Sequence, residues 1–403
     1  MNYLVGIVGK PSSGKSTFLN AACLTDAKVS ELPFTTIEPN KGIGYVKIRC
    51  VCGEFDLEDN PQNSFCREGY RFIPIQLLDV AGLVPDAHKG KGLGNKFLND
   101  LSRADALLHI IDITGSLNKM GQRTAPGLNN PHEDIVFLEK EIDLWFTEII
   151  KRGDWEKFTR QFMKEKKAFI NELHNRLSGL KIKKYQINSV LKTTKLENKS
   201  PKEWSENDLF IFSKALREIS KPMAIVANKI DKEIAQKNFN LLKKKYNGKI
   251  IPTSALAEYY LRKYNDEKKI NYLPGSNSFE IIDRSKLNEK EIESLNKIQD
   301  RILDIYGSTG IQSSLNHAIF EILNMIVVYP VSDLNDFTDN KGNILPDAFL
   351  VKRGTSLKNF VRDHIHSDLA DKFIFGINAR TKKRLGENYE LEHNDIIKVV
   401  SGR

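Results

Sequence analysis

Apolar residues in this chain follow two alternating patterns. Short continuous runs occupy residues 4–8, 75–78, 106–112, 223–227 and 250–252, each ending in or followed by Gly, Asp, Asn or Thr. Runs of that length with such ends predict buried strands leading into functional loops. Between them the spacing becomes helical. Residues 16–22 predict a helix, and Ile135, Leu138, Ile142, Trp145, Phe146 and Ile149 fall on one helical face. After a turn at Gly153-Asp154, with Asp154 as N-cap, Phe158, Phe162, Phe169, Ile170, Leu173 and Leu177 form a second stripe. Two such stripes across a short turn predict an antiparallel helical hairpin whose aromatics are core. Residues 283 to 325 read as two further helices. Beyond 327 the pattern turns β-rich, with a turn at 337–342, a capped helix at 356–366 and strands at 373–377 and 396–400. The expected organisation is an α/β domain with a doubly wound sheet (1–130 and 206–282), an inserted helical hairpin (131–205), a helical connector (283–326) and a small terminal domain (327–403).

Composition adds four constraints. A chain of 403 residues exceeds one compact core. No apolar run is long enough to cross a membrane, and the first strand begins at once, so neither a membrane span nor a signal peptide is expected. Four cysteines in this length suit a reducing cytoplasm better than a disulfide framework. The net charge of +9 is concentrated. Residues 151–199 hold fourteen Lys and Arg against five acids, an excess equal to that of the whole chain. This basic stretch is either a footprint for a polyanion such as RNA or a solvated helical face.

The chemistry sits at the strand ends. Gly9, Lys10, Pro11, Ser12, Ser13, Gly14, Lys15 and Ser16 read G-x-x-x-x-G-K-S between a strand and a helix that begins Ser16-Thr17. Backbone N–H groups of such a loop wrap phosphates, Lys15 reaches the β- and γ-phosphates, and Ser16 is a ligand for Mg²⁺. Asp79-Val80-Ala81-Gly82 follows the next strand as D-x-x-G, where Asp79 suits Mg²⁺ and the Gly82 N–H a γ-phosphate. Asn228-Lys229-Ile230-Asp231 reads N-K-x-D. The Asp231 carboxylate matches guanine's ring N–H and exocyclic amine, a donor pair that adenine lacks. Lys229 is expected along the base and Asn228 as a brace between loops. The stretch Ser254-Ala255-Leu256 is expected to present a backbone N–H to the guanine oxygen. Together these elements imply GTP rather than ATP.

The four motifs resemble the translation-factor class of P-loop GTPases. Residues 32–40, Leu-Pro-Phe-Thr-Thr-Ile-Glu-Pro-Asn, resemble the first switch of the Obg family, and residues 79–95 resemble the second switch of its YchF branch. The terminal domain resembles the β-grasp TGS module. The resemblance spans nearly the whole chain and implies a P-loop GTPase fold, GTP and GDP as ligands, Mg²⁺, and a docking role for the TGS module. It also implies that Thr36, with Thr35 as the competing choice, ligates Mg²⁺ and the γ-phosphate. Two departures stand out. The intact N-K-x-D contrasts with the degenerate motif of YchF proteins associated with ATP. Ser12 replaces the Asn that often supports a monovalent cation, so potassium stimulation is not expected.

Leu83 follows D-x-x-G, where many small GTPases carry a water-orienting Gln. Slow intrinsic hydrolysis is therefore expected, with positioning supplied by a partner or by His88; the other reading of His88 is a switch residue bonded to backbone. Gly90, Gly92 and Gly94 fit either a mobile switch or a close-packed turn. Cys50, Cys52 and Cys66 lie in one polar segment, but no fourth ligand is evident, so ordinary thiols are expected rather than a zinc site. The leading functional reading is a slow GTPase switch on the ribosome or structured RNA, cytoplasmic and monomeric. An ATPase or dual-nucleotide hydrolase in stress signalling, and a nucleotide-gated protein scaffold, remain open.

Overall fold

The computed structural model describes residues 3–23, 40–83, 85, 94–161 and 165–402. The predicted roles of Thr35, Thr36, His88, Gly90, Gly92 and Phe162 lie outside these residues. Two compact units divide the chain. One comprises 1–3, 22–76 and 315–403; the other comprises 4–21 and 77–314. This division differs from the expected domains, because residues 22–76 group with the C-terminal region.

In chain order the elements are β1 (Leu4–Val8), α1 (Lys15–Ala22), β2 (Lys41–Arg49), β3 (Phe65–Arg67), β4 (Tyr70–Asp79), α2 (Gly94–Arg103) and β5 (Ala106–Asp112). Then come α3 (Pro131–Lys151), α4 (Trp155–Gln161), α5 (Lys166–Arg176), α6 (Lys184–Thr193) and α7 (Glu206–Ser220). The sheet resumes with β6 (Met223–Asn228), α8 (Glu233–Lys245), β7 (Ile250–Thr253) and α9 (Ala255–Asp266). A small hairpin, β8 (Ile270–Asn271) and β9 (Glu280–Ile281), precedes α10 (Glu289–Ile298), α11 (Asp304–Tyr306) and α12 (Ile311–Asn316). The last elements are β10 (Met325–Val331), β11 (Phe349–Lys352), α13 (Leu357–Phe360), α14 (Ser367–Asp371), β12 (Phe373–Asn378), β13 (Arg384–Leu385) and β14 (Asp395–Ser401).

The unit built on residues 4–21 and 77–314 centres on parallel strands β1, β5, β6 and β7, adjacent in that order. Every residue of β1 and β5 is buried. That pattern requires helices on both faces, and it explains why these strands read as continuous apolar runs. His109 on β5 is buried with them; desolvation first, and then the charges of Lys15 and Lys10, push its pKa down to about 3.

The insertion is not the expected two-helix hairpin. The second stripe is divided between α4 and α5, while α6 and α7 complete the layer. Asp154 does cap α4, accepting from the Lys157 N–H at 2.8 Å. Leu138, Ile142, Phe146, Phe158, Phe169, Trp204 and Phe212 share one core with Leu4 and Val8 of the sheet. Residues 206–220 therefore belong to this layer. The amphipathic pattern identified the helices, but the pairing of α3 with α7 is a long-range packing choice. The described aromatics of the two stripes, Trp145, Phe146, Phe158 and Phe169, are core, as expected. Burying one such ring stabilises by about 2–3 kcal/mol, which stacking on an extracted base, worth about 1–3 kcal/mol, would forfeit.

The other unit carries a five-stranded mixed sheet in the order β11-β10-β14-β12-β13. Val328, Val351, Leu357, Phe360, Leu391 and Ile397 fill the core between sheet and helices. The β-rich pattern after 327 predicted this module. In the same unit β3 pairs antiparallel with β4, placing Cys66 opposite Arg71. The segment before β3 is stitched to the C-terminal module by backbone bonds from Asn60 to Ile344 (2.9 Å) and Gln62 to Pro346 (2.6 Å). Those bonds account for residues 22–76 belonging to this unit. The segment also overturns one premise: Asp59 lies beside the three cysteines as a fourth potential ligand.

Candidate nucleotide-binding site

The phosphate loop runs from the end of β1 to the start of α1. Gly9 adopts φ +148°, and a Cβ there would meet the Ile110 carbonyl oxygen at 2.3 Å. Gly14 adopts φ +103°, and a Cβ would strike Asn228 Nδ2 at 2.2 Å. Both close approaches demand glycine. Ser12 has a left-handed φ of 63°, a region that Asn tolerates better than most residues, which fits the Asn often found there in similar proteins. Ser13 is buried, and its Oγ has no hydrogen-bond partner among the described residues. Lys15 is buried and donates to the Lys10 carbonyl at 2.9 Å. Burial holds its pKa below the usual lysine value, against the raising effect of Asp79.

Ser16 and Asp79 converge from α1 and β4. The Ser16 hydroxyl donates to Asp79 Oδ2 at 2.6 Å. A hydroxyl and a carboxylate form an all-oxygen donor set, the chemistry of a hard divalent cation such as Mg²⁺. Gly82 packs against Pro11, where a Cβ would lie 2.9 Å from the proline nitrogen. Leu83 is 2% exposed, and its N–H donates to the Gly9 carbonyl at 3.2 Å. Its side chain is therefore part of the core and supplies no polar group for a water.

The predicted base-reading residues form one braced assembly. Asn228 Nδ2 donates to the Ser13 carbonyl at 2.9 Å, while its Oδ1 accepts from the Ala255 N–H at 3.1 Å. It thus ties the phosphate loop to the start of α9, the predicted brace. Asp231 accepts a hydrogen bond from the Ser254 hydroxyl at 2.8 Å. Each carboxylate oxygen has two acceptor positions, so the group retains capacity for a base. Ala255 N–H is committed to Asn228, Ser254 N–H to the Thr309 carbonyl and Ala257 N–H to Ser254 Oγ. Of this first turn, the Leu256 N–H has no partner among the described residues; it is the group expected from the sequence to meet the guanine oxygen.

Lys229 has φ 66° and places Nζ 2.9 Å from Asp112 Oδ2. Asp112 is fully buried and also accepts from Thr114 N–H, Thr114 Oγ1 and Ser116 Oγ. These bonds hold its carboxyl below the usual range despite the opposing effect of burial. Asp112 was not singled out from the sequence, although its place at the end of a buried strand is the same signal that marked Asp79 and Asn228. The Lys10 side chain is taken up by α3, where it pairs with Asp134 at 2.5 Å, both groups buried. Its contribution to the loop is its backbone. Pro11 and Thr17 occupy the loop and the first turn as expected.

A cavity of about 850 Å³ opens beside Lys229, Asp231, Ser254 and Leu256. Thr114, Ser116 and Thr124 line one part, and Lys297 and Ile298 from the end of α10, with Arg301 just beyond it, line another. The α10 contribution lies some seventy residues beyond N-K-x-D, and no local motif marks it.

Three family descriptions match consecutive parts of the chain: 50S ribosome-binding GTPase over residues 4–140, the Obg-like GTPase YGR210-like, G4 motif-containing domain over 226–333, and TGS domain over 337–401. A GTP-binding protein of Methanocaldococcus jannaschii is 46% identical, with 99% of each chain covered. The crystal structure of a GTP-binding protein from Pyrococcus horikoshii covers 100% of both chains at 36% identity and a TM-score of 0.78. The Schizosaccharomyces pombe YchF GTPase, at 17% identity and a TM-score of 0.58 over 99% of this chain and 98% of its own, shares the fold. With the phosphate loop, the braced N-K-x-D assembly and the terminal TGS module in place, the chain belongs to the YchF-like branch of the Obg-family GTPases and is a GTP-binding protein.

Proposed function

We propose that this protein hydrolyses GTP slowly to GDP and phosphate and acts as a nucleotide switch on the ribosome or structured RNA. The observation that carries the reading is the Asn228–Ser13–Ala255 brace, which fixes the phosphate loop relative to the guanine-reading Asp231. Lys15 and the loop N–H groups neutralise and orient the phosphates. Ser16 and Asp79, with Thr36 by resemblance, would hold Mg²⁺, which spreads phosphate charge when bound. Leu83 leaves the attacking water unassisted, so turnover is slow until His88 or a partner positions it. The exposed Lys157, Lys167, Lys183, Lys184, Lys192 and Lys195, none in an ion pair among the described residues, support phosphate contact without sequence reading.

Affinity and turnover for GTP and ATP, measured with and without ribosomes at low salt, test the proposal. GTP binds more tightly, Asp231→Ala weakens it about 100-fold, and ribosomes raise turnover in a strongly salt-dependent way. Equal affinities unmoved by the mutation would remove the guanine assignment. Ribosomes that neither bind nor alter turnover would remove the switch role. Leu83's burial favours a second reading, a nucleotide-gated protein scaffold, distinguished by turnover that no RNA partner raises.

A further inference from the structure

Away from the nucleotide, Cys50, Cys52, Asp59 and Cys66 converge so that their ligand atoms all lie within 4.8 Å of one another. Cys50 directly follows β2, Cys52 lies in the next tight turn, and Cys66 is the middle residue of β3. Asp59 comes from the connecting loop. Cys50 and Cys52 are buried, and the Asp59 side chain is 7% exposed. From this geometry we infer a structural zinc site with Cys50, Cys52, Cys66 and Asp59 as its four ligands.

The distances suit one tetrahedral ion. With Zn–S near 2.3 Å and tetrahedral angles, neighbouring sulfurs stand about 3.8 Å apart. Cys52 Sγ and Cys66 Sγ are 3.8 Å apart. Zn–O near 2.0 Å gives a sulfur–oxygen edge of about 3.5 Å, and Cys50 Sγ and Asp59 Oδ2, at 3.0 Å, need to part only slightly. The same compactness is too tight for four ligands around an iron–sulfur cluster. Three thiolates and a carboxylate favour zinc over magnesium or calcium, which require all-oxygen sets.

A further partner is already in place. Arg71, fully buried, donates to Asp59 Oδ2 at 2.8 Å, to Ser64 Oγ at 3.0 Å and to the Leu345 carbonyl at 2.9 Å. It orients the carboxylate, as outer groups do at metal centres, and offsets part of the charge of a three-thiolate, one-carboxylate site. Arg71 accounts for a buried Asp59. It does not account for three sulfurs gathered around that carboxylate. Binding would release the thiol protons to solvent as zinc takes their place. The ion would close the loop from Cys50 to Cys66, whose Asn60 and Gln62 carry the backbone bonds to Ile344 and Pro346. Its role is to hold that platform within one compact unit, separate from hydrolysis.

The test uses the full chain, purified under reducing conditions without chelator. Elemental analysis should find about one zinc per chain, and Co²⁺ exchange should give the visible and thiolate charge-transfer bands of a tetrahedral sulfur-rich site. Cys66→Ser should weaken zinc binding at least about 100-fold, and Asp59→Asn should weaken it and alter the cobalt spectrum. Cys23→Ser should leave both unchanged. The wild-type cobalt spectrum decides the matter even if a variant fails to fold. Four freely titrating thiols in the presence of added zinc, or a Cys52–Cys66 disulfide found by mass in the reduced preparation, would overturn the assignment.

Discussion

The two ends of the nucleotide site are built on different principles. At the base end, every group named from the motif is held by another: Asn228 bridges two loops, Ser254 holds Asp231, and Asp112 holds Lys229. At the cleaving end, the residue after D-x-x-G is an aliphatic side chain sealed in the core, and the polar candidates, Thr36 and His88, lie outside the described residues. On the proposed function, recognition is pre-organised within the fold, whereas cleavage waits on a group delivered to it. Preorganised donors and acceptors gain affinity without ordering cost. A site lacking its water-positioning group gains none in rate.

Three substitutions probe that contrast, in decreasing order of effect. Asn228→Ala removes two bonds that tie the phosphate loop to α9, each buried. About 2 kcal/mol of GTP binding should be lost, read by calorimetry as roughly a thirtyfold weaker Kd. An unchanged Kd would mean that the brace is incidental. Leu83→Gln should not restore hydrolysis, because the amide enters an apolar pocket. It should instead cost about 1–3 kcal/mol of stability, measured by denaturant unfolding beside single-turnover assays. Faster turnover in a stable Leu83→Gln protein would show that the cleaving end is limited by that side chain alone.

Taken per pH unit, the smallest effect is on pH dependence. His109 has a folded pKa lowered to about 3 against an ordinary 6.5, so between those values the unfolded chain binds more protons. Stability conferred by the neutral imidazole is complete above pH 6.5 and is lost as pH falls toward 3. A single such group gives up to about 1.4 kcal/mol per pH unit. His109→Gln should flatten this acid limb by about one proton, as read from unfolding free energies across that range. An unaltered limb would place the acid sensitivity elsewhere.

Much of the base end was legible because its residues are consecutive and lie at strand termini, where spacing reports geometry directly. Asn228, Asp231 and Ser254 needed no long-range information to be found. Asp112 carried the same local signal, but without a neighbouring motif it passed as an ordinary strand end. Lys297 on α10 and Arg301 just after it reach the cavity, a juxtaposition set by packing of helices that no spacing encodes. The insertion illustrates the same limit: its stripes identify helical faces, yet α7 completes the layer by pairing with α3 across about sixty residues. Asp59 was missed for a chemical reason. An isolated aspartate in a polar loop is unremarkable until folding brings it to Cys50.

The account's central claim is that Asp231 reads guanine by accepting from its ring N–H and its amine. Xanthine replaces that amine with a carbonyl, which an asparagine amide can donate to while its own carbonyl accepts the ring N–H. Competition binding of GTP and xanthosine triphosphate to the wild type and to Asp231→Asn tests this directly. The wild type should prefer GTP, and the variant should reverse the preference, with a combined change of about 100-fold or more. If both proteins rank the two nucleotides alike, the base is read by some other group.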